Sequence, residues 1–385
     1  MDEEALLNAL REGVGADGFR SECITVHRNG FLVAEMYGVG AAPNTKHITW
    51  STSKAVAAAL IGISESDGVL HTEDPVRTWV PEWAGTESEG VTVDMLLRHD
   101  SGRNYGLITD FVVPQFCGSG IEFGCDFQSQ TEYATSLAQQ HPPGTVYQYN
   151  QMAFQMLEPV LRVANNNESL NSYTQRRLWG PMQVEDSPEF DDAGAFTRVV
   201  FPPDGVANGP MIYGGVTTSC RDLARFGTLW MHRGSWGGQG QLFTDEFYEK
   251  AMGEGPRPSG RRYHWGVNGN LHTAGGMGSQ FVAFDPVEGL VITRIGDAIG
   301  GSLAGFNQGQ LINSIRDSIL NPKANISETA ATPPSPPEEE VAALAWLTAA
   351  AKEKARGGGG AAEAAAWRQG LPAKLAAWQR NQSRH

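Results

Sequence analysis

Residues 47–63 read HITWSTSKAVAAALIGI, and both the fold and the chemistry of the chain follow from how this stretch is folded. Ser51 and Lys54 are three residues apart, a spacing that puts two side chains on one face of a helix. The apolar run from Ala55 to Ile63 buries the remainder of that helix and leaves the pair at its start. A serine oxygen held against a lysine nitrogen can work as nucleophile and base. A helix N-terminus adds free backbone N–H groups and the positive end of the dipole, both suited to an oxyanion. Lys54 can take the serine proton where desolvation or a second cation holds it partly neutral.

Ser-x-x-Lys by itself arises easily by chance, and a solvated lysine at a helix start is the plain alternative. The surroundings favour chemistry. Lys46 and Lys54 are the only lysines before Lys250, and no other lysine in the chain has a serine three residues earlier.

Composition bounds the rest. With 385 residues, 41% hydrophobic and 19% charged, the chain has the makings of a sizeable core. A net charge of −14 argues against a nucleic-acid or anionic-membrane surface. No apolar run approaches the roughly 20 residues of a membrane span. The start MDEEALLNALREG lacks the basic and apolar regions of a signal peptide, so the chain reads as soluble and, by default, cytoplasmic. Cys23, Cys117, Cys125 and Cys220 are too few for a disulfide scaffold and show no C-x-x-C spacing. Free buried thiols are expected, with a local Cys117–Cys125 bridge as the oxidised alternative. The sequons at Asn167 and Asn325 carry little weight without a secretory signal. No H-E-x-x-H occurs, so neither zinc nor any other cofactor is expected.

The chain order is strands, a helical insert, then strands. A helix over Asp2–Arg11 precedes β-like runs at Cys23–His27 and Phe31–Tyr37, with Arg28-Asn29-Gly30 as a hairpin turn between them. The Ser51 helix should stop near Asp67-Gly68, where glycine supplies a left-handed cap. Helices are expected over Val93–Arg98, Thr131–Gln140, Met152–Ala164, Asp222–Arg233 and Gln310–Leu320, and strands over Val282–Phe284 and Leu290–Ile295. This is not the βαβα alternation of a parallel sheet. It predicts an α+β fold, in which an antiparallel sheet made from both ends of the chain is flanked by helices, with a mostly helical subdomain at about 70–210. The Gly-rich, aromatic stretch 104–127 reads as an active-site wall. Residues 1–320 form the main folded domain on this reading, and the Pro-, Ala- and Gly-rich 321–385 a partly flexible extension.

Ser51-Thr52-Ser53-Lys54 before an apolar helix resembles the first motif of the serine β-lactamase and penicillin-binding protein superfamily. The branch it resembles is that of class C β-lactamases, related esterases and 6-aminohexanoate-dimer hydrolases. GVLHTEDPVRTWVPEW, MLLRHDSG, GGVTTSCRDLARFG and GMGSQFVAFDPVEGLVI are similar to family segments in the family's order, over about 25–320. The resemblance implies that Tyr149, in PGTVYQYNQMAFQML, takes the place of the family tyrosine that assists proton transfer. Gln151 then stands where the family has an asparagine, with Asn150 as the other candidate amide. The third family motif, Lys-Thr-Gly or His-x-Gly, has no lysine here. It falls in LHTAGGMGSQ, with either His272-Thr273-Ala274 or Ala274-Gly275-Gly276 in register. Gly276, Met277 and Gly278 then offer backbone N–H groups as the second oxyanion donor. His99-Asp100-Ser101 is read as a structural turn, and Asp222 and Arg225 as a helix-start charge and its partner.

The expectation is a metal-free serine hydrolase acting on small esters or amides through an acyl-enzyme on Ser51, with Lys54 and Tyr149 relaying protons. Trp265, the 104–127 loop and the 272–280 strand are expected to wall the site. Two alternatives stand beside it: a β-lactamase or D-Ala-D-Ala peptidase, and a catalytically silent binding or scaffold member of the family. The sequence leaves the oligomeric state open.

Overall fold

Val-, Ile- and Thr-rich runs at the two ends of the chain pair with each other, and that pairing creates the main sheet. The computed structural model describes residues 2–15, 21–106, 110, 114, 127–186, 188–190, 210–253, 263–296 and 306–319. Strand β1 (Cys23–Arg28) turns at Asn29 and Gly30, both at positive φ, into β2 (Phe31–Tyr37). The Asn-Gly pair is what a tight hairpin of this hand requires. On its other edge β1 pairs antiparallel along its whole length with β9 (Leu290–Ile295), from Cys23 opposite Ile295 to Arg28 opposite Leu290. Then follow β8 (Gln280–Asp285), β7 (Leu271–Gly276) and β6 (Gly266–Asn268), giving the order β2-β1-β9-β8-β7-β6. A small second sheet, β3 (His47–Ile48), β5 (Val216–Thr218) and β4 (Glu189–Phe190), has β5 in its middle.

Alternation along the strands sorts side chains to two helical layers. Ile24, Val26, Phe281, Ala283 and Ile292 meet helix α1 (Glu3–Val14) and the closing helix Gln308–Asp317. Val282, Phe284 and Val291 face the other way, onto the Cys220–Met231 helix and the main core. Gly227 lets that helix lie directly on the sheet, since a Cβ there would stand 2.6 Å from Val282 and 2.8 Å from Val291. The fold is α+β, an antiparallel sheet between helical layers, as the sequence predicts.

Helix α2 (Ser53–Ser66) runs through the main core. Every residue from Ser53 to Ser64 is buried, so its apolar character extends all round, as expected of a central helix. It ends where predicted: Gly68 takes φ 69°, and the Val69 and Gly68 N–H groups close on the carbonyls of Ser64 and Glu65.

Two expectations are corrected. Met152–Ala164 is not one helix but two, Gln151–Gln155 and Leu157–Ala164. Pro159 has no N–H to offer the Gln155 carbonyl and its ring crowds that group, so the helix restarts there. Cys23 and Cys220 are not free thiols; they form a disulfide tying β1 to the first residue of the Cys220–Met231 helix across 197 residues of chain. Beside it Thr25 and Thr293 share a hydrogen bond of 2.7 Å across β1 and β9, and Thr293 donates to the Cys220 carbonyl at 3.1 Å. Cys117, Cys125, most of the 104–127 loop and the 321–385 extension lie outside the described residues.

A cross-link closing so long a loop constrains the unfolded chain strongly. Replacing Cys23 and Cys220 together by serine should lower the unfolding free energy by about 2–5 kcal/mol. Urea denaturation checks this: dithiothreitol should remove most of the stability difference between the wild type and the variant.

Candidate active site

A single 3₁₀ turn, Trp50–Thr52, leads into α2 and carries Ser51, with Lys54 on the first turn of the helix proper. The Lys54 Nζ lies 3.1 Å from the Ser51 Oγ. Lys54 is completely buried, yet its nitrogen meets two further acceptors, the Gln151 Oε1 at 2.5 Å and the Tyr213 carbonyl at 2.8 Å. Three acceptors match the three N–H bonds of an ammonium. The rings of Tyr149, Tyr213 and Phe154 stand around it, their centroids 4.8, 5.5 and 5.6 Å from Nζ. Such faces favour a cation that burial would otherwise penalise.

The Tyr149 hydroxyl donates to the same Ser51 oxygen at 2.7 Å. The Ser51 Oγ thus lies within hydrogen-bond range of both a phenol and a lysine nitrogen. Gln151 reaches Lys54 despite its added methylene. Asn150, the alternative amide, is engaged elsewhere: its Oδ1 caps the Gln151–Gln155 helix through the Ala153 N–H at 2.7 Å, and its Nδ2 donates to the carbonyls of Arg103 and Asn104. That helix is also capped from a distance, by Asp110, whose carboxylate accepts from the N–H groups of Gln151 (3.1 Å) and Met152 (3.3 Å).

The far wall is the end of β7. A Cβ built on Gly276 would collide with the Thr49 carbonyl and stand 3.0 and 3.1 Å from the backbone nitrogens of Ser51 and Thr52. Strand and serine turn are therefore in direct backbone contact. Met277 and Gly278 continue into a 3₁₀ turn in which Gly278 takes φ 74°. The buried Arg294 holds that turn by donating to the carbonyls of Gly278 (2.6 Å) and Ser279 (2.9 Å). Of the two registers for the third motif, Ala274-Gly275-Gly276 is the one that meets Ser51. His272 lies four strand residues earlier, about 13 Å along β7. It stacks on Phe284 with ring centroids 4.6 Å apart, and burial lowers its pKa from 6.5 to about 4. The structure does not bring it to the serine.

Trp265 is corrected as well. It is fully buried in the main core among Phe226, Trp230 and Phe284 and offers no surface as a wall of the site. Asp222 holds the structural part expected, accepting from the N–H groups of Glu185 and Asp186 and from Arg225. Two participants escaped sequence reading. Tyr213 acts through its backbone carbonyl, which no residue type signals. His264, at φ 73° with its Nε2 2.6 Å from the Gly275 carbonyl, follows a stretch with no motif. Among the described residues no group of three or more His, Cys, Asp or Glu side chains is placed to hold a metal ion, and no helix is long and apolar enough to cross a membrane.

Known proteins carry the same fold and elements. Residues 8–296 match the Beta-lactamase family, and the chain belongs to that family and so to the hydrolases. It is 26% identical over 304 residues to a 6-aminohexanoate-dimer hydrolase of Paenarthrobacter ureafaciens, covering 71% of this chain and 72% of that one. Among solved structures, a family VIII carboxylesterase superposes with a TM-score of 0.64 at 16% identity, over 82% of this chain and 97% of the other. A penicillin-binding protein homologue from Caulobacter crescentus gives 0.63 at 16% identity, over the same shares of the two chains.

Two outcomes follow from the geometry. Gly276→Ala should slow any reaction of Ser51 with a fluorophosphonate by about a hundredfold, because the added methyl forces the strand and the serine turn apart. Intact-mass kinetics read this, with thermal melting to show that the fold survives. His272 is neutral in the folded protein to about pH 4 but takes a proton near 6.5 when unfolded. Its folded pKa is lowered, so the unfolded state binds more protons in that window and stability falls as pH drops from 6.5 toward 4. Unfolding free energies of His272→Phe should show a shallower loss over the same range.

Proposed function

We propose that the protein is a serine hydrolase of small esters or amides, with Ser51 as nucleophile and Lys54 and Tyr149 as its proton relay. The observation that carries this reading is the convergence of Lys54 and Tyr149 on one serine oxygen at 3.1 and 2.7 Å. Ser51 Oγ attacks the substrate carbonyl, and its proton passes to the relay, which accepts it when Lys54 is the neutral amine or Tyr149 the phenolate. The oxyanion is held by the Ser51 N–H and by a backbone N–H of the 276–278 segment, with Met277 the favoured donor. Collapse of the tetrahedral intermediate breaks the bond to the alcohol or amine, which leaves with the relayed proton. Water, deprotonated by the same relay, then attacks the acyl-serine and restores Ser51.

An ester or simple amide is favoured over a β-lactam by what stands at the third motif. In the Ala274 register that position carries a methyl group and no cation, so nothing there would grip a substrate carboxylate. The likeness to a 6-aminohexanoate-dimer hydrolase and to a carboxylesterase points the same way. The Cys23–Cys220 disulfide supports an oxidising compartment in place of the cytoplasm suggested by the N-terminal sequence.

A fluorophosphonate should add once to the wild type and not to Ser51→Ala, read by intact mass. An equal adduct on the variant would remove Ser51 as nucleophile. With a chromogenic ester, a cephalosporin and a D-amino-acid peptide side by side, ester turnover should lead, and a dominant cephalosporin rate would overturn the substrate assignment.

A further inference from the structure

The turn Arg98–Asn104 precedes the Tyr149 segment by half a hundred residues and grips it from both sides. His99 sits at φ 60° with only 5% of its surface exposed. Its carbonyl accepts the Gln148 N–H at 2.8 Å, and its ring Nδ1 accepts the Asn150 N–H at 3.3 Å. The Asn150 Nδ2 closes the grip on the carbonyls of Arg103 (3.1 Å) and Asn104 (2.9 Å). Tyr149 is therefore fixed through both of its neighbours in sequence. The His99 ring also packs against it, centroid to centroid at 4.6 Å, while stacking on Phe154 at 5.4 Å.

From this we infer that His99 is a positioning residue for Tyr149, setting the phenol against the Ser51 oxygen through the acceptor on its ring. The inference rests on the reading of Ser51, Lys54 and Tyr149 given above. Tyr149 lies in an extended lead-in to the Gln151–Gln155 helix and belongs to no strand. A residue in such a segment has no ladder to fix its backbone, and a hydroxyl that must meet Ser51 at 2.7 Å needs one supplied. Two bonds from a single residue, one on each side of Tyr149, supply it. The ring acceptor has a definite chemical state. To accept the Asn150 N–H, Nδ1 must be bare, so His99 is neutral and carries its hydrogen on Nε2.

The residue type can be dissected. Asparagine places its Oδ1 on the same branch from Cγ as the histidine Nδ1, and it tolerates positive φ. Glycine accepts the backbone conformation at no steric cost and removes the acceptor. Phenylalanine keeps a flat ring and removes the acceptor. His99→Gly and His99→Phe should each lower kcat on a chromogenic ester and the rate of fluorophosphonate addition by roughly tenfold to a hundredfold, with KM within about twofold. His99→Asn should recover most of that loss, to within about threefold of wild type.

The endpoint of labelling, one adduct per folded chain, counts molecules with a competent Ser51, so partial misfolding does not pass for slow chemistry. Whichever of the glycine and phenylalanine variants gives a cooperative melt decides the comparison with asparagine. A folded variant without the acceptor that reacts at the wild-type rate overturns the inference, as does an asparagine variant as slow as the others. Labelling of Ser51→Ala would instead overturn the nucleophile assignment, whatever the His99 series shows.

Discussion

The solvation of one buried nitrogen organises this molecule. Lys54 is wholly inside, on a helix that is otherwise apolar, and an unpartnered amine or ammonium there would be prohibitively costly. Its acceptors come from three separate parts of the chain: the turn before α2, the start of the Gln151–Gln155 helix and the loop before β5. Each of those parts is in turn anchored elsewhere. The serine turn rests on β7 through Gly276, the Gln151 helix on Asp110 and Asn150, and the approach to β5 on Ser53, whose hydroxyl accepts the Val216 N–H at 3.0 Å. The groups that satisfy the lysine are also those that surround Ser51, so the contacts that stabilise this part of the fold are the ones that shape the candidate site.

Much of this was legible in the residues. The apolar periodicity after Lys54, the Asn29-Gly30 hairpin and the Gly68 stop are local signals, and the structure follows each of them. The pairing of chain ends was legible as well, because strand-like runs occurred only at the two ends of the body. The break at Met156 was legible in principle: Pro159 forbids the hydrogen bond that would have joined the two helices. Periodicity alone hid it, since both halves continue one apolar stripe.

Other features were not legible, for physical reasons. The partnership of Cys23 and Cys220 depends on β1 lying against the Cys220–Met231 helix, a tertiary fact with no local trace. Tyr213 contributes a main-chain oxygen, which any residue could provide. His272 drew attention as a polar residue in the right motif, but strand register decides its role, and a stacked, neutral ring on Phe284 is what the register gives it. The turn at His99 was read as structural, and it is; the sequence does not show that what it supports is the Tyr149 segment.

The order of strands in the main sheet has a temporal meaning. Among the described residues β9 is the last strand in the chain, and it inserts between β8 and β1, the first. On a ribosome, the β1–β2 hairpin and the Ser51 helix emerge long before the strand that carries Gly276. Until that strand arrives, the serine turn lacks the backbone that Gly276 lays against it. Completion of the sheet must wait for that long-range pairing, which is slow. The candidate site is thus joined from an early and a late part of the main body, and only completion of the sheet brings the two together.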